Sequence, residues 1–429
     1  MYQKIVKLIG LIKIIYAEML GKRPKSDTWE RVATVAIGQQ MRISCIHQGF
    51  ELYGSDRCFA ETVAAIRSAY PAAEIEVVLP REGPIVGLLK ANASRISFEP
   101  IWILRRRNLW WLATIGLLSL PRAIFRAASR MRSSDLVYIS TCVVIDYILA
   151  GRFFRRSTLL HIHEIPEGMS LRILRGLVRW SRTQVIFNSK ATRAAFALPK
   201  AFSSSVVYNG VPGPETPKPS DYDSHRRLRL LMLGRINRIK GQEILIEAVR
   251  CLPHHIRSQI SVRIVGDAFE DRPRETMIRS LVHQAALSDI IQIEPFVVDP
   301  ANLYHWADLV VIPSHKPESL GRVAIEAMAF ARPPLASAIG GLVEVVGDGG
   351  NGWLVPPGRA DLLANAIQTI VEHPESWREY GPRARARYEL LFSERSASDA
   401  IGAILQAKLT ANGLGAPEAT APPIVSDAI

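Results

Sequence analysis

Short apolar runs alternate with longer stretches of helical periodicity from residue 41 onward, and one segment that can be neither interrupts the alternation. Runs at 42–47, 75–79, 135–139, 158–163, 184–188 and 205–208 precede the interruption, and runs at 228–233, 261–265, 290–293, 308–312, 334–338 and 353–355 follow it. Apolar runs this short read as strands, and helical stretches between them mark βαβ units and a parallel sheet. The interruption, VPGPETPKPSDYDS at 211–224, has four prolines and few apolar side chains, so it reads as a linker. The expected fold class is α/β: two Rossmann-like domains, at 41–210 and 225–385, with parallel sheets facing a central cleft. Ligands of such folds bind outside the carboxyl ends of the strands. A C-terminal helix is expected at 386–410 and a disordered tail rich in Ala, Pro and Gly at 411–429.

Composition narrows the classes of function. Apolar residues make up 48% and charged residues 22% of the 429, which fits soluble globular domains and excludes wholesale disorder or a multi-span membrane architecture. Cys45, Cys58, Cys142 and Cys251 lie far apart with no CxxC pair, so neither a disulfide framework nor a structural zinc is expected, and a reducing compartment, the cytoplasm, is. Residues 1–212 hold 30 Lys/Arg against 14 Asp/Glu (+16) and residues 213–429 hold 23 against 26 (−3), which together give the net +13. The first half is thus expected to face an anionic partner. No zinc finger, RNP-like or basic-helix signature accompanies the charge, so nucleic acid is not the expected one. Residues 1–40 open with MYQKIVKLIGLIKIIY, whose lysines break the apolar run too often for a membrane span or a secretory signal. They are read as a basic apolar extension, either an interfacial helix or sequence upstream of a start at Met41.

The densest chemistry follows the run at 308–312: Pro313-Ser-His-Lys-Pro-Glu318-Ser-Leu-Gly321-Arg-Val-Ala-Ile-Glu326-Ala-Met-Ala. Glu318 falls in a strand-to-helix loop and Glu326 on the following helix, so the two carboxylates can meet one ligand at different depths. The amides of Ser319, Leu320 and Gly321 fall at a helix N-terminus, which favours phosphate, and Gly321 permits close backbone approach. Upstream, Leu233-Gly234-Arg235-Ile-Asn-Arg-Ile-Lys240-Gly241 ends the first strand of the second half. A glycine turn with Arg235 and Lys240 can set two cations on a diphosphate; taken alone, it reads as a solvated basic turn. Gly340-Gly341-Leu-Val-Glu344 and Asn351-Gly352-Trp-Leu-Val-Pro-Pro-Gly358 add glycine turns after later strands.

In this order, with seven residues between the two glutamates, these motifs resemble the donor-binding half of retaining GT-B glycosyltransferases of the family-4 type, the glycosyl transferases group 1. The resemblance is strong over 228–360 and weaker over 41–210. It implies the GT-B arrangement of two facing α/β domains, the second holding a nucleoside-diphosphate-sugar as donor substrate, with no cofactor and no metal. It implies that Arg235 and Lys240 contact the diphosphate, that Glu318 contacts the sugar and Glu326 the ribose hydroxyls, and that Gly234, Gly266 and the Pro295-Phe296 turn lie near the nucleotide. In the first half, His163 at the end of the 158–163 strand is similar to a family histidine that contacts the transferred sugar. His161 shares its face of an alternating strand, and a satisfied structural histidine is the plainer alternative. The turn from His47 to Arg57 corresponds to a family loop that often carries paired glycines beside the donor phosphate. Here Gly49 and Gly54 are separated, and Gly54 is taken for that place. The resemblance implies sugar transfer to a lipid-linked or glycan acceptor with retention at the anomeric carbon, in cell-surface polysaccharide or glycolipid biosynthesis. The acceptor hydroxyl then approaches on the leaving-group side and passes its proton to a donor phosphate oxygen. A sugar-nucleotide epimerase on the same scaffold and a non-catalytic membrane-bound scaffold are the alternatives.

Arg105, Arg106 and Arg107 stand ahead of a 14-residue uncharged run containing Trp110 and Trp111 and ending at Pro121. This is the composition of a helix lying in a membrane interface, with a buried core helix as the alternative. With the +16 half it leads to an expected peripheral location on the inner face of the plasma membrane, against an anionic surface. Asp221-Tyr-Asp223 resembles the DxD metal site of a different glycosyltransferase architecture, but inside the proline-rich segment it reads as solvated surface.

Overall fold

The computed structural model describes residues 40–413 apart from 52–53, 105–114, 219, 221 and 269–270. The first sheet holds β1 (Arg42–Ile46), β2 (Glu74–Leu79), β3 (Arg95–Phe98), β4 (Leu136–Ile139), β5 (Thr158–Ile162), β6 (Gln184–Phe187) and β7 (Ser204–Val206), in the order β3-β2-β1-β4-β5-β6-β7. The second holds β8 (Leu228–Leu233), β9 (Ile260–Val265), β10 (Ile291–Glu294), β11 (Leu309–Ile312), β12 (Pro334–Ser337) and β13 (Trp353–Val355), in the order β10-β9-β8-β11-β12-β13. Every neighbouring pair is parallel. The strand order reverses between β1 and β4 and again between β8 and β11, so each sheet has the switch-point crevice at which doubly wound folds bind ligands. The two Rossmann-like domains expected from the alternation are therefore present.

Helices cover both faces of each sheet, which is why β4, β5 and β11 are buried along their whole length and why β4 and β11 read as unbroken apolar runs. The strand β3 has no such run. It is Arg-Ile-Ser-Phe, half exposed at the sheet edge, and the sequence reading missed it for that reason. On one side of the first sheet Ile43, Val77 and Tyr138 meet Phe59 and Val63 of the helix Gly54–Ala69. On the other, Val137, Leu160 and Phe187 meet the helices Ile115–Ser133, Ile145–Gly151 and Gly168–Ser181.

The chain crosses between the domains twice. The helix Glu394–Ala411, last in the described chain, returns to the first domain, where Ile401, Leu405 and Leu409 join the core of the helix Gly54–Ala69. The crossings are bonded to each other: the Val211 N–H donates to Phe392 O at 3.0 Å, and the Tyr388 hydroxyl donates to Val211 O at 2.8 Å. Carbonyls of the proline-rich segment are held by arginines, Pro214 O by Arg385 at 2.9 Å and Lys218 O by Arg332 at 2.7 Å. Asp223 lies in an exposed turn, accepting the His225 N–H at 3.0 Å, while Asp221 is outside the described residues. So are Arg105, Arg106, Arg107, Trp110 and Trp111, with the rest of 105–114; residues 115–121 of that run belong to the helix Ile115–Ser133, which continues through Pro121. Among the described residues no helix is long and apolar enough to cross a membrane.

Candidate active site

The loops after β8, β9 and β11 converge at the carboxyl ends of the second sheet. The Gly234 N–H bonds Val265 O at 3.0 Å, and a Cβ at Gly266 would lie 2.0 Å from Gly234 O, so the first two loops touch backbone to backbone where no side chain fits. Asn237 Oδ1 accepts the N–H groups of Ile239 and Lys240 at 2.9 and 3.1 Å, fixing the turn that carries Lys240. Lys240 Nζ consequently reaches Glu318 Oε1 at 2.8 Å, and the Ser314 hydroxyl donates to the same oxygen. Burial pushes the Glu318 carboxyl up, but the Lys240 ammonium and the two hydrogen bonds outweigh burial and hold it below its ordinary value. Glu318 is thus ionised at neutral pH. Arg235 is exposed at the head of the Lys240 turn, and Phe296 is exposed beyond the end of β10.

The segment Glu318-Ser319-Leu320-Gly321 is seated on the Gly340-Gly341 pair. The Gly341 N–H donates to Glu318 O at 2.8 Å, and a Cβ at Gly341 would lie 2.5 Å from both Ser319 O and the Leu320 Cα. The glycine pair therefore acts as a floor for the loop. Gly321 then precedes the helix Arg322–Ala329, which carries Glu326. Both Glu326 oxygens are engaged: Oε2 accepts the Tyr304 hydroxyl at 2.7 Å and Oε1 accepts Arg322 Nε at 2.9 Å.

Arg322 also reaches across the cleft. Its Nη2 lies 3.0 Å from Glu61 Oε1, on the helix Gly54–Ala69, and the Cβ position of Gly54 is 3.9 Å from the Arg322 side chain. Gly54 is therefore brought to Arg322, the residue that pairs with Glu326. Two more polar bridges join the domains: the Glu344 carboxylate accepts the Lys190 N–H at 2.7 Å and the Tyr208 hydroxyl at 3.1 Å, and Lys316 pairs with Glu167 at 3.1 Å.

The two histidines of the 158–163 run differ. His161 Nδ1 bonds the Tyr138 hydroxyl at 2.7 Å, while its buried Nε2 makes no hydrogen bond among the described residues. His163, buried at the end of β5 with its ring 3.9 Å from that of His161, is set beside the side chain of Asn209, and neither of its ring nitrogens makes a close hydrogen bond among the described residues. Burial, with a smaller contribution from His47, pushes His163 down to about 3, so its imidazole is neutral at physiological pH. Beside it, His47 Nε2 bonds Asp56 Oδ1 at 2.8 Å, and Gly49 closes over that pair, a Cβ there falling 1.8 Å from Asp56 Oδ1. Gly49 thus serves the His47–Asp56 contact. Glu164 accepts the Thr141 hydroxyl at 2.8 Å and the Gln48 amide at 3.2 Å, and burial pushes its carboxyl up. Since His163 remains neutral above about pH 3, turnover should show no limb from it near pH 6.5. A pH–rate profile in which such a limb appears in the wild type and vanishes in His163→Asn would contradict this.

Residues 219–387 match the family model for glycosyl transferases group 1. The chain carries a group 1 glycosyltransferase domain. It is 30% identical over 174 residues to a D-inositol 3-phosphate glycosyltransferase of Arthrobacter sp. strain FB24, covering 40% of this chain and 41% of that protein. It is 34% identical over 155 residues to the corresponding protein of Nocardiopsis dassonvillei, covering 35% and 36%. The chain thus matches about two fifths of the length of these curated relatives. The structural likeness is wider. HepE of Anabaena, solved with UDP, superposes with a TM-score of 0.70 at 25% identity over 86% of this chain and all of that one. A glycosyltransferase of Rickettsia africae superposes at 0.71 and 19% identity over 87% and 99%, which shows the shared GT-B fold.

Within the group 1 domain the structure brings Lys240, Glu318 and Gly341 together, and Gly234 with Gly266; Glu326 is joined through Arg322 to the first domain. Among the described residues His163 meets His161, His47 and Asn188 of the first domain and Asn209 of the crossing that leaves it. Sequence reasoning missed Ser314, Tyr304, Arg322 and Glu61. Ser314 and Arg322 were visible inside the glutamate motif, four residues before each carboxylate they serve, whereas Tyr304 and Glu61 are delivered by the fold and have no local signal.

Proposed function

We propose that the chain is a retaining glycosyltransferase, moving a sugar from a nucleoside diphosphate to a lipid-linked or glycan acceptor in cell-surface polysaccharide or glycolipid assembly, with no metal or cofactor. The observation that carries this reading is the Lys240–Glu318 pair, fixed where three loops of the group 1 domain converge. An ammonium has three donors, so Lys240 can hold Glu318 and a phosphate oxygen together. Lys240 and Arg235 stabilise the charge that develops on the diphosphate as it leaves, and the amides of Ser319, Leu320 and Gly321 add to them. Glu318 hydrogen-bonds the sugar hydroxyls and Glu326 the ribose. Gly266 and Phe296 flank the nucleoside, Gly54 approaches from the first domain, and His163 offers a neutral ring nitrogen to the sugar. The bond from the anomeric carbon to the diphosphate breaks as the acceptor oxygen bonds to the same face, and the acceptor proton passes to a donor phosphate oxygen.

HepE has been solved with UDP-glucose as well as UDP, which supports a UDP-sugar among the donors to test. The names of the curated relatives add a phosphorylated cyclitol to the acceptors. The +16 first half supports action at an anionic membrane face on the cytoplasmic side. The test is nucleotide release by purified protein from UDP- and GDP-sugars, with and without membrane lipids or inositol phosphate, and the anomeric configuration of any product by NMR. Acceptor-independent isomerisation of the donor, or inversion, would replace this reading. Activity should survive EDTA, because Arg235 and Lys240 supply the counter-charge; complete loss restored by Mg²⁺ or Mn²⁺ would show that reading to be wrong.

A further inference from the structure

We infer that the first domain seats on an anionic bilayer through the outward faces of two helices, Ile115–Ser133 and Gly168–Ser181. This rests on the membrane reading above and names the face. Both helices cover the same side of the first sheet, where Leu120 and Met131 of one and Leu174 and Val178 of the other share a core. The outward stripe of Ile115–Ser133 reads Leu118, Arg122, Phe125 and Arg132, at helical spacing, with Leu118 80% and Phe125 73% exposed. That of Gly168–Ser181 reads Met169, Arg172, Ile173, Arg179 and Trp180, all exposed.

Neither helix contains an acidic residue. A water-facing helix ordinarily interleaves charges of both signs, and its large apolar side chains point inward. Here large apolar groups alternate with arginines on the outside, the composition that sinks into the acyl boundary while its guanidiniums meet lipid phosphates. The wider segment agrees: residues 101–200 hold 17 basic and 4 acidic residues, and of those four, Asp146 is buried and Asp135 accepts the Arg42 N–H at 2.8 Å. Trp180 is extended by Phe153, edge-on at 6.5 Å, and by the Arg152 guanidinium 5.7 Å above its ring. The docking helix also starts at the cleft, because Gly168 follows Glu167, which pairs with Lys316 of the opposite domain. A domain resting on this face holds the cleft mouth near the headgroups.

The experiment is co-sedimentation of the full chain with phosphatidylcholine vesicles, with and without phosphatidylglycerol, across a salt series. The wild type should bind only the anionic vesicles, and less as salt shortens the Debye length toward about 8 Å. Leu118→Ser/Phe125→Ser and Met169→Ser/Ile173→Ser should each weaken binding about tenfold or more at every salt concentration, since each removes two side chains from the acyl boundary. Arg122→Gln/Arg172→Gln should weaken it chiefly at low salt. Nucleotide release with a water-soluble acceptor should be unchanged in all three, which separates this inference from the glycosyl-transfer reading. A wild type that ignores anionic vesicles at low salt, variants that bind like the wild type, or tighter binding to RNA than to vesicles would each overturn it.

Discussion

Lys240→Ala is expected to lower acceptor-dependent nucleotide release by about 100-fold or more, the loss seen when one preorganised electrostatic donor is deleted. Two effects act together. The diphosphate loses a cation as negative charge develops, and Glu318 loses the ammonium that keeps it ionised 2.8 Å away. With Lys240 gone, burial becomes the dominant influence on Glu318 and its carboxyl rises above the ordinary value. A group raised in the folded state binds more protons than in the unfolded chain between the two pKa values, so stability falls as pH rises through that interval. The variant should therefore show a larger melting deficit against the wild type at pH 8 than at pH 5. Lys240→Ala/Glu318→Gln removes the stranded charge, so it should recover stability and not rate. Arg235→Ala should also cost about 100-fold. Near-wild-type release in both single variants would sink the assignment of these cations to the diphosphate.

What could be read in advance follows from how locally each feature is encoded. The central strands are legible because burial on both faces forces an apolar run, and the donor loops because their glycines, cations and carboxylates fall within short windows of the chain. Pairings across the cleft are different. Arg322 and Glu61 are 261 residues apart, and Glu344 and the Lys190 N–H are 154 apart, so neither partner marks the other. The spacing of Ile401, Leu405 and Leu409 announces an amphipathic helix but not which sheet it covers, and the fold returns it to the first domain. His161 and His163 are equivalent by strand alternation; Tyr138, brought beside β5 by parallel pairing, bonds the first, and Asn209, from the crossing, neighbours the second.

The Gly341→Ala substitution tests whether the loop carrying Glu318 must sit where its floor puts it. Gly341 opens the helix Gly341–Val346, where alanine alone would be the better residue by up to about 1 kcal/mol. Sterics oppose that gain. The new methyl would lie 2.5 Å from Ser319 O and the Leu320 Cα and 2.8 Å from the Leu320 N, all backbone atoms that no rotamer change can move away. Carbon contacts settle near 3.5–4.0 Å, so the loop has to shift by roughly 1 Å. The loop is held on its other sides by the buried Leu320 side chain and by Lys240 and Ser314 on Glu318, so a shift strains all three. Overpacking of this kind costs about 1–3 kcal/mol, and a displacement of about 1 Å at a reacting centre can cost about 100-fold in rate. Gly341→Ala should therefore stay folded, melt lower than the wild type and lose about two orders of magnitude in turnover. Gly176→Ala is the control, because a Cβ there meets nothing within 4 Å in the middle of a helix, and it should melt at or above the wild-type temperature with unchanged turnover. Thermal unfolding and nucleotide release on both variants decide the matter: a Gly341→Ala protein with wild-type melting and turnover would mean that the Glu318 loop does not depend on its glycine floor.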